Sequence, residues 1–126
     1  MSIGGRYFTS AELACRCGQC EPGIQPEFVV WLDRLREAVG RPLKLTSAYR
    51  CPAHDAAVGG NGPHTTGLAV DIEAVLAVTR HSVVTAALAL GAHGVGVAKT
   101  FVHIDRIRPG GLQYPRPALW TYPPKE

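Results

Sequence analysis

The sequence lacks any apolar run long enough to cross a membrane. The longest, residues 83–90, is interrupted by Thr85. The opening Met1-Ser2-Ile3-Gly4-Gly5-Arg6 lacks the apolar segment of a secretory signal. On this reading the chain is expected to be made in the cytoplasm, with no membrane partner. Work outside the cell would need another route of export. Basic runs are missing as well. The formal net charge is only +3 and the lysines and arginines are scattered, which excludes nucleic acid as an expected partner. So mild a charge suits an anionic polymer, but solubility alone also accounts for it. There is no internal repeat, and no His-Glu-x-x-His run of the kind that builds a helical metal centre.

Apolar residues make up 46% of the sequence and charged residues 18%, the balance of a folded protein. A length of 126 residues suits one domain, 1–126, around one core. Phe8 to Leu13 opens a short helix, because Thr9 and Glu12 have capping-box spacing and Phe8 and Leu13 can staple its entry. Pro26 starts a second helix, with Phe28, Leu32, Leu35 and Val39 on its apolar stripe and Gly40 at its end. Leu43 to Arg50 alternates like a strand. A brief helix over Pro52 to Val58, a loop over residues 59–63 and a strand over Leu68 to Ile72 follow. The Ala-rich stretch from His81 to Leu90 predicts a helix closed by Gly91. Gly94 to Ala98 and Phe101 to Arg106 predict two strands joined near Lys99. The Pro-rich remainder reads as an extended tail pinned by Trp120 and Tyr122. Helices first and then strands predict an α+β fold, with a small, mainly antiparallel sheet and helices packed on one side.

Asp71 stands among Leu68, Ala69, Val70 and Ile72, where a buried carboxylate needs a partner or a metal. Strand alternation puts Phe101, His103 and Asp105 on one face, with Val102 and Ile104 facing the core. Neutral imidazole and carboxylate oxygen are ligands that zinc accepts, and three of them leave an open position for water. A His and an Asp on two strands also occur without any metal.

Three segments carry a resemblance. Thr46-Ser47-Ala48-Tyr49-Arg50, His64-x-x-Gly67-x-Ala69-x-Asp71 and Phe101-Val102-His103-Ile104-Asp105 resemble motifs of the zinc D-alanyl-D-alanine peptidase family. That family includes D,D-carboxypeptidases, D-Ala-D-Ala dipeptidases, phage L-alanyl-D-glutamate endolysins and the hedgehog signalling domain. Phe8 to Leu13 and Arg116-Pro117-Ala118-Leu119-Trp120 look like compact phage and prophage members. The resemblance implies a hedgehog/DD-peptidase-like fold, with Zn2+ held by His64, Asp71 and His103. It implies Arg50 as the residue that meets the substrate carboxylate or the developing oxyanion. Peptidoglycan peptides would be the substrate, cut by a carboxypeptidase or an endolysin-type endopeptidase. Phage-type release, or carriage in a phage particle with tail or lysis proteins as partners, would bring the enzyme to the wall. If free, it is expected to be a monomer.

The chain departs from that pattern at the general base. Thr100 stands where many relatives have Glu or Asp, and Phe101 where some have a second His. Asp105 is the nearest acidic candidate for a catalytic base; its other role would be to support His103 or to pair with an Arg. His93 and His54 are further candidates, while His81 is expected to face solvent. Gly62-Pro63 replaces the usual Ser before the first ligand.

Cys15, Cys17, Cys20 and Cys51 could form a second, structural zinc site, two disulfides, or a mixture of buried and free thiols. Two rival functions stay in view. One is a non-catalytic zinc-bearing binding module; the other is a phage tail component whose zinc only stabilises the fold.

Overall fold

The computed structural model describes residues 4–111 and 113–122. Helix α1 spans Ser10–Leu13, and its capping box forms as the spacing predicts. Glu12 N–H donates to Thr9 Oγ1 at 3.2 Å, and Thr9 N–H donates to Glu12 Oε1 at 3.0 Å. Helix α2 spans Pro26–Val39 and closes on Gly40, whose left-handed φ of 80° lets its N–H reach the Arg36 carbonyl. Strand β1 is Leu45–Ser47, helix α3 is Pro52–Ala57, and a 3-10 turn covers Pro63–Thr66. Strand β2 (Ala69–Glu73), helix α4 (Ala77–Ala89), and strands β3 (Gly94–Val97), β4 (Phe101–Asp105) and β5 (Ala118–Thr121) complete the chain.

The five strands form one sheet in the order β1-β2-β4-β3-β5. All neighbours are antiparallel except β3 and β5, which run parallel. One face of the sheet supplies Val70, Ile72, Val95, Val102 and Ile104 to the core. Phe28, Leu32 and Leu35 of α2 and Val83 and Ala87 of α4 cover that face. Burying such side chains contributes roughly 1.5–3 kcal/mol each, so this layer dominates the stability of the fold. The Trp31 indole N–H donates to the Leu90 carbonyl at 2.9 Å and ties α2 to the end of α4. The architecture is the α+β fold expected, with α2 and α4 packed on one face of the sheet.

Three elements differ from their expected bounds. Regular pairing of β1 stops at Ser47, because the chain then turns to let Arg50 N–H bond the His64 carbonyl at 3.2 Å. Helix α4 starts at Ala77, four residues before His81, with Arg80 bonding the carbonyls of Ala74 and Val75 ahead of it. The tail is more than extended chain: Ala118–Thr121 becomes a sheet strand by pairing with Gly94–Val97.

Candidate metal centre

The sheet face opposite the helices carries the polar residues in register. Asp71 on β2 and His103 on β4 are direct cross-strand partners. The same row continues outward, through Ser47 on β1 at one side and Gly96 and Trp120 at the other. All five strands therefore give one residue to a single line. At Gly96 the missing side chain matters, since a Cβ there would strike the Trp120 indole. The indole instead lies over the glycine, its ring centre 5.1 Å from that of His103.

His64 reaches the row from the 3-10 turn between β1 and β2. Its Nδ1 lies 2.8 Å from the Ala48 carbonyl oxygen. A carbonyl only accepts, so Nδ1 carries the hydrogen and the Nε2 lone pair is left facing Asp71 Oδ1 at 3.3 Å. Gly67 ends the turn at φ 75°, close against the Gly23 carbonyl, where a side chain would clash.

His103 is oriented from the other side. Its Nε2 lies 2.7 Å from Asp105 Oδ2, and its Nδ1 lies 3.2 Å from Asp71 Oδ1. The Asp105 carboxylate takes the Nε2 hydrogen, which leaves Nδ1 to offer its lone pair toward Asp71. His64, Asp71 and His103 are all buried, and one ligand atom from each lies within 4.8 Å of the others. Two imidazoles with opposite nitrogens locked as donors, converging on one carboxylate, are a donor set that fits zinc. The three residues meet as the resemblance implies.

The charges are tightly coupled. Burial alone would raise the Asp71 carboxyl; in the metal-free site, where His103 Nδ1 and His64 Nε2 face Asp71 with a hydrogen instead of a bare lone pair, their hydrogen bonds outweigh burial and hold the group well below the usual carboxylate range. Burial opposes the charged form of His103 too, yet its bonds to Asp105 and Asp71 raise its pKa above the ordinary imidazole value.

Arg50 lies on the wall of this site. Its Nε donates to Ser47 Oγ at 3.0 Å and its Nη1 to Asp55 Oδ1 at 3.1 Å, while Nη2 stands 3.7 Å from Asp71 Oδ2. Fixed by two partners, its guanidinium needs little further ordering to meet an anionic group.

Asp105 does not occupy the place of a catalytic base. It is fully buried and absent from the cavity wall. Its Oδ2 accepts from His103 and from Arg116 Nη2 at 2.8 Å. Its Oδ1 accepts from Arg116 Nε at 3.0 Å and from the Ile107 N–H at 3.2 Å. With both oxygens engaged away from the cavity, Asp105 positions the His103 ring, and the expectation of a base at this residue is corrected. Burial would raise its pKa, but His103 and Arg116 hold it below the ordinary range. Its register partners are Ala69 and Gly94, and a Cβ at Gly94 would meet the carboxylate.

A cavity of about 580 Å³ opens over the three residues. Arg50, Asn61, Tyr114 and Tyr122 are on its wall, and among the described residues Asp71 is the one carboxylate that lines it. Thr100 is exposed and outside the cavity, its carbonyl accepting from Ala74 N–H at 2.8 Å. His93 lines a smaller cavity with Trp31 and Arg106, apart from the centre. His54 lies half-buried on α3, and His81 is exposed in the middle of α4.

Four contributors escaped the sequence reading: Arg116, Asp55, Ser47 and Tyr114. Arg116 stood in a segment read as family-like, but nothing in the sequence pairs it with Asp105. Asp55 five residues after Arg50 was a findable signal, since one helical turn after Pro52 returns the carboxylate toward the arginine.

An antiparallel-rich sheet that presents two imidazoles and a carboxylate beneath an open cavity fits one class of protein: a metallopeptidase with a candidate metal site of two His and one Asp. The family model of Peptidase M15 matches residues 6–105, and the chain belongs to that family. No curated protein matches the chain.

Proposed function

We propose that this chain is a zinc peptidase that hydrolyses peptide bonds of bacterial peptidoglycan. The observation that carries the reading is the pair of opposed tautomer locks on His64 and His103. They aim Nε2 of one ring and Nδ1 of the other at Asp71, beside the fixed guanidinium of Arg50. Zinc, when bound, supplies a Lewis acid for the scissile carbonyl and makes its water nucleophilic near neutral pH. Ala48 and Asp105 hold those ring hydrogens away from the metal position, so both imidazoles are correctly turned. Arg50 receives the peptide carboxylate or the oxygen on which negative charge develops. Tyr114 and Trp120 narrow the cavity around an extended peptide. The resemblance to D-alanyl-D-alanine peptidases supports a cell-wall stem peptide as substrate, cut in D,D-carboxypeptidase or endopeptidase fashion. Delivery by phage-type release goes with the same reading.

One observation favours a second reading, a binding module that carries zinc without cleaving. Among the described residues Asp71 is the one carboxylate on the cavity wall, and Thr100 replaces the usual acid. Purified peptidoglycan from several wall chemotypes, incubated with zinc-loaded protein and resolved by mass spectrometry, separates the two. The peptidase reading expects new peptide ends, lost in His103→Ala. Binding to the wall without any release, from every chemotype, overturns it in favour of the module.

A further inference from the structure

Four thiols from two distant stretches of chain meet beside the end of β1. Cys15, Cys17 and Cys20 come from the loop after α1, and Cys51 is the residue that caps α3 directly after Arg50. The Sγ–Sγ separations are 3.8 Å for Cys15–Cys51, 3.5 Å for Cys17–Cys20 and 3.9 Å for Cys17–Cys51. All four sulfurs lie within 4.8 Å of one another.

These distances discriminate between the open alternatives. A disulfide needs about 2.05 Å, and all four cysteines are free. Disulfides also sort thiols into pairs, whereas Cys51 stands equally near Cys15 and Cys17. Four thiolates around zinc, each about 2.3 Å from the metal, form a tetrahedron with edges of about 3.8 Å. The measured separations cluster about that edge. Two backbone amides point at the sulfurs: Gln19 N–H lies 3.5 Å from Cys17 Sγ, and Cys51 N–H lies 3.4 Å from Cys15 Sγ. Such donors favour the charged sulfur over the thiol. Gly18, at a φ of 72°, supplies the turn that brings Cys20 back to Cys17.

We infer that Cys15, Cys17, Cys20 and Cys51 hold a structural zinc ion that fastens the N-terminal loop to the segment after β1 that carries Arg50. Zn2+ displaces one proton from each of the four thiols, and four sulfur–zinc bonds form in their place. Four protein ligands leave no open position, so this site is closed to chemistry. Its consequence for the cavity is mechanical. Cys51 is fixed one residue after Arg50, and the Tyr49 ring is packed against Gly23, three residues after Cys20. The arginine is thus held from both sides along the chain. The inference does not depend on the peptidase reading, because the cluster would bind zinc in an inert protein as well.

The test uses the full chain purified without added metal or reductant. Zinc per chain is measured by elemental analysis and native mass spectrometry, and thiols are counted before and after chelation in denaturant. The double variant His64→Ala/His103→Ala is expected to retain one zinc per chain. Its thiols should react only after chelation. Cobalt in place of zinc should give sulfur-to-cobalt charge-transfer absorption, lost in Cys17→Ser/Cys20→Ser. An intact mass lower by two hydrogens per disulfide would overturn the inference. So would four thiols that react at once in a histidine variant that retains no metal. Both readouts come from chains with all four cysteines, so they decide the matter even where the serine variant fails to fold.

Discussion

The chain has two places where metal-binding side chains converge, and they are built in opposite ways. His64, Asp71 and His103 are buried, and two of the three are register partners in the sheet. Cys15, Cys17, Cys20 and Cys51 lie outside the helices and strands, graded from buried Cys15 through half-buried Cys17 and Cys51 to exposed Cys20, with their sulfurs close to one another. The first group is held by the fold: hydrogen bonds that the rings donate to the Ala48 carbonyl and the Asp105 carboxylate set each ring before any metal arrives. In the second group the thiols have few other anchors, so the metal would do the holding. A preorganised set of three donors with an open cavity suits turnover, whereas a closed set of four on loops suits a fastening.

The largest effect that would break this contrast is expected at Arg116. Its guanidinium is the main partner of the buried Asp105 carboxylate, so Arg116→Ala strands a charge in the interior. Unfolding by urea should show a loss of about 3–5 kcal/mol, whereas a loss no larger than that of an exposed arginine would deny the clamp. Next is Asp105→Asn, which keeps the shape but weakens the acceptor for His103 Nε2–H. Zinc affinity at the histidine centre, or activity, should fall about 10–100-fold, while zinc at the cysteines is untouched. Equal losses at both places would erase the distinction between them.

A smaller effect is expected from Gly96→Ala, which pushes a methyl into the Trp120 indole and so loosens β5. Overpacking of this kind costs roughly 1–3 kcal/mol, read by tryptophan fluorescence during thermal melting. An unchanged spectrum and midpoint would show that the indole does not rest where described.

The smallest effect is on pH dependence, and it has a definite sign. In metal-free protein, Asp71 and Asp105 have lowered pKa values. They contribute stability above about pH 4, lost as pH falls through their folded values. His103 has a raised pKa. It contributes stability below about pH 6.5, lost as pH rises through its folded value. Metal-free protein should therefore be most stable between those limits. Zinc requires neutral imidazole, so loading should move the maximum to higher pH. Melting curves across pH, with and without zinc, check this; identical profiles would contradict it.

The sequence made two of the three candidate ligands readable through short local patterns, and His64 came with the family resemblance. Asp71 is a carboxylate in an apolar strand, and His103 alternates with Val102 and Ile104. Periodicity fixed the core faces of α2, β2 and β4 for the same reason, since burial repeats along one element. What escaped depends on pairing across distance. Ala118–Thr121 becomes a strand by pairing with Gly94–Val97, where Gly96 leaves room for the Trp120 indole. Arg116 matters only because the chain returns over Asp105 after β4. The role of Asp105 turned on the same fact: alternation put it beside His103, and only the fold shows both its oxygens facing inward. Strand β1 ends early because Arg50 folds back onto Ser47, a local contact with no sequence periodicity to announce it.

The central claim is that two oppositely oriented imidazoles and Asp71 hold one zinc ion. A crystal structure of the zinc-loaded chain, with anomalous scattering recorded at the zinc edge, tests it directly. The account predicts a peak bound by His64 Nε2, an Asp71 carboxylate oxygen and His103 Nδ1, with His103 Nε2 still on Asp105. Zinc bound through His103 Nε2, or no peak among these three residues, would contradict it.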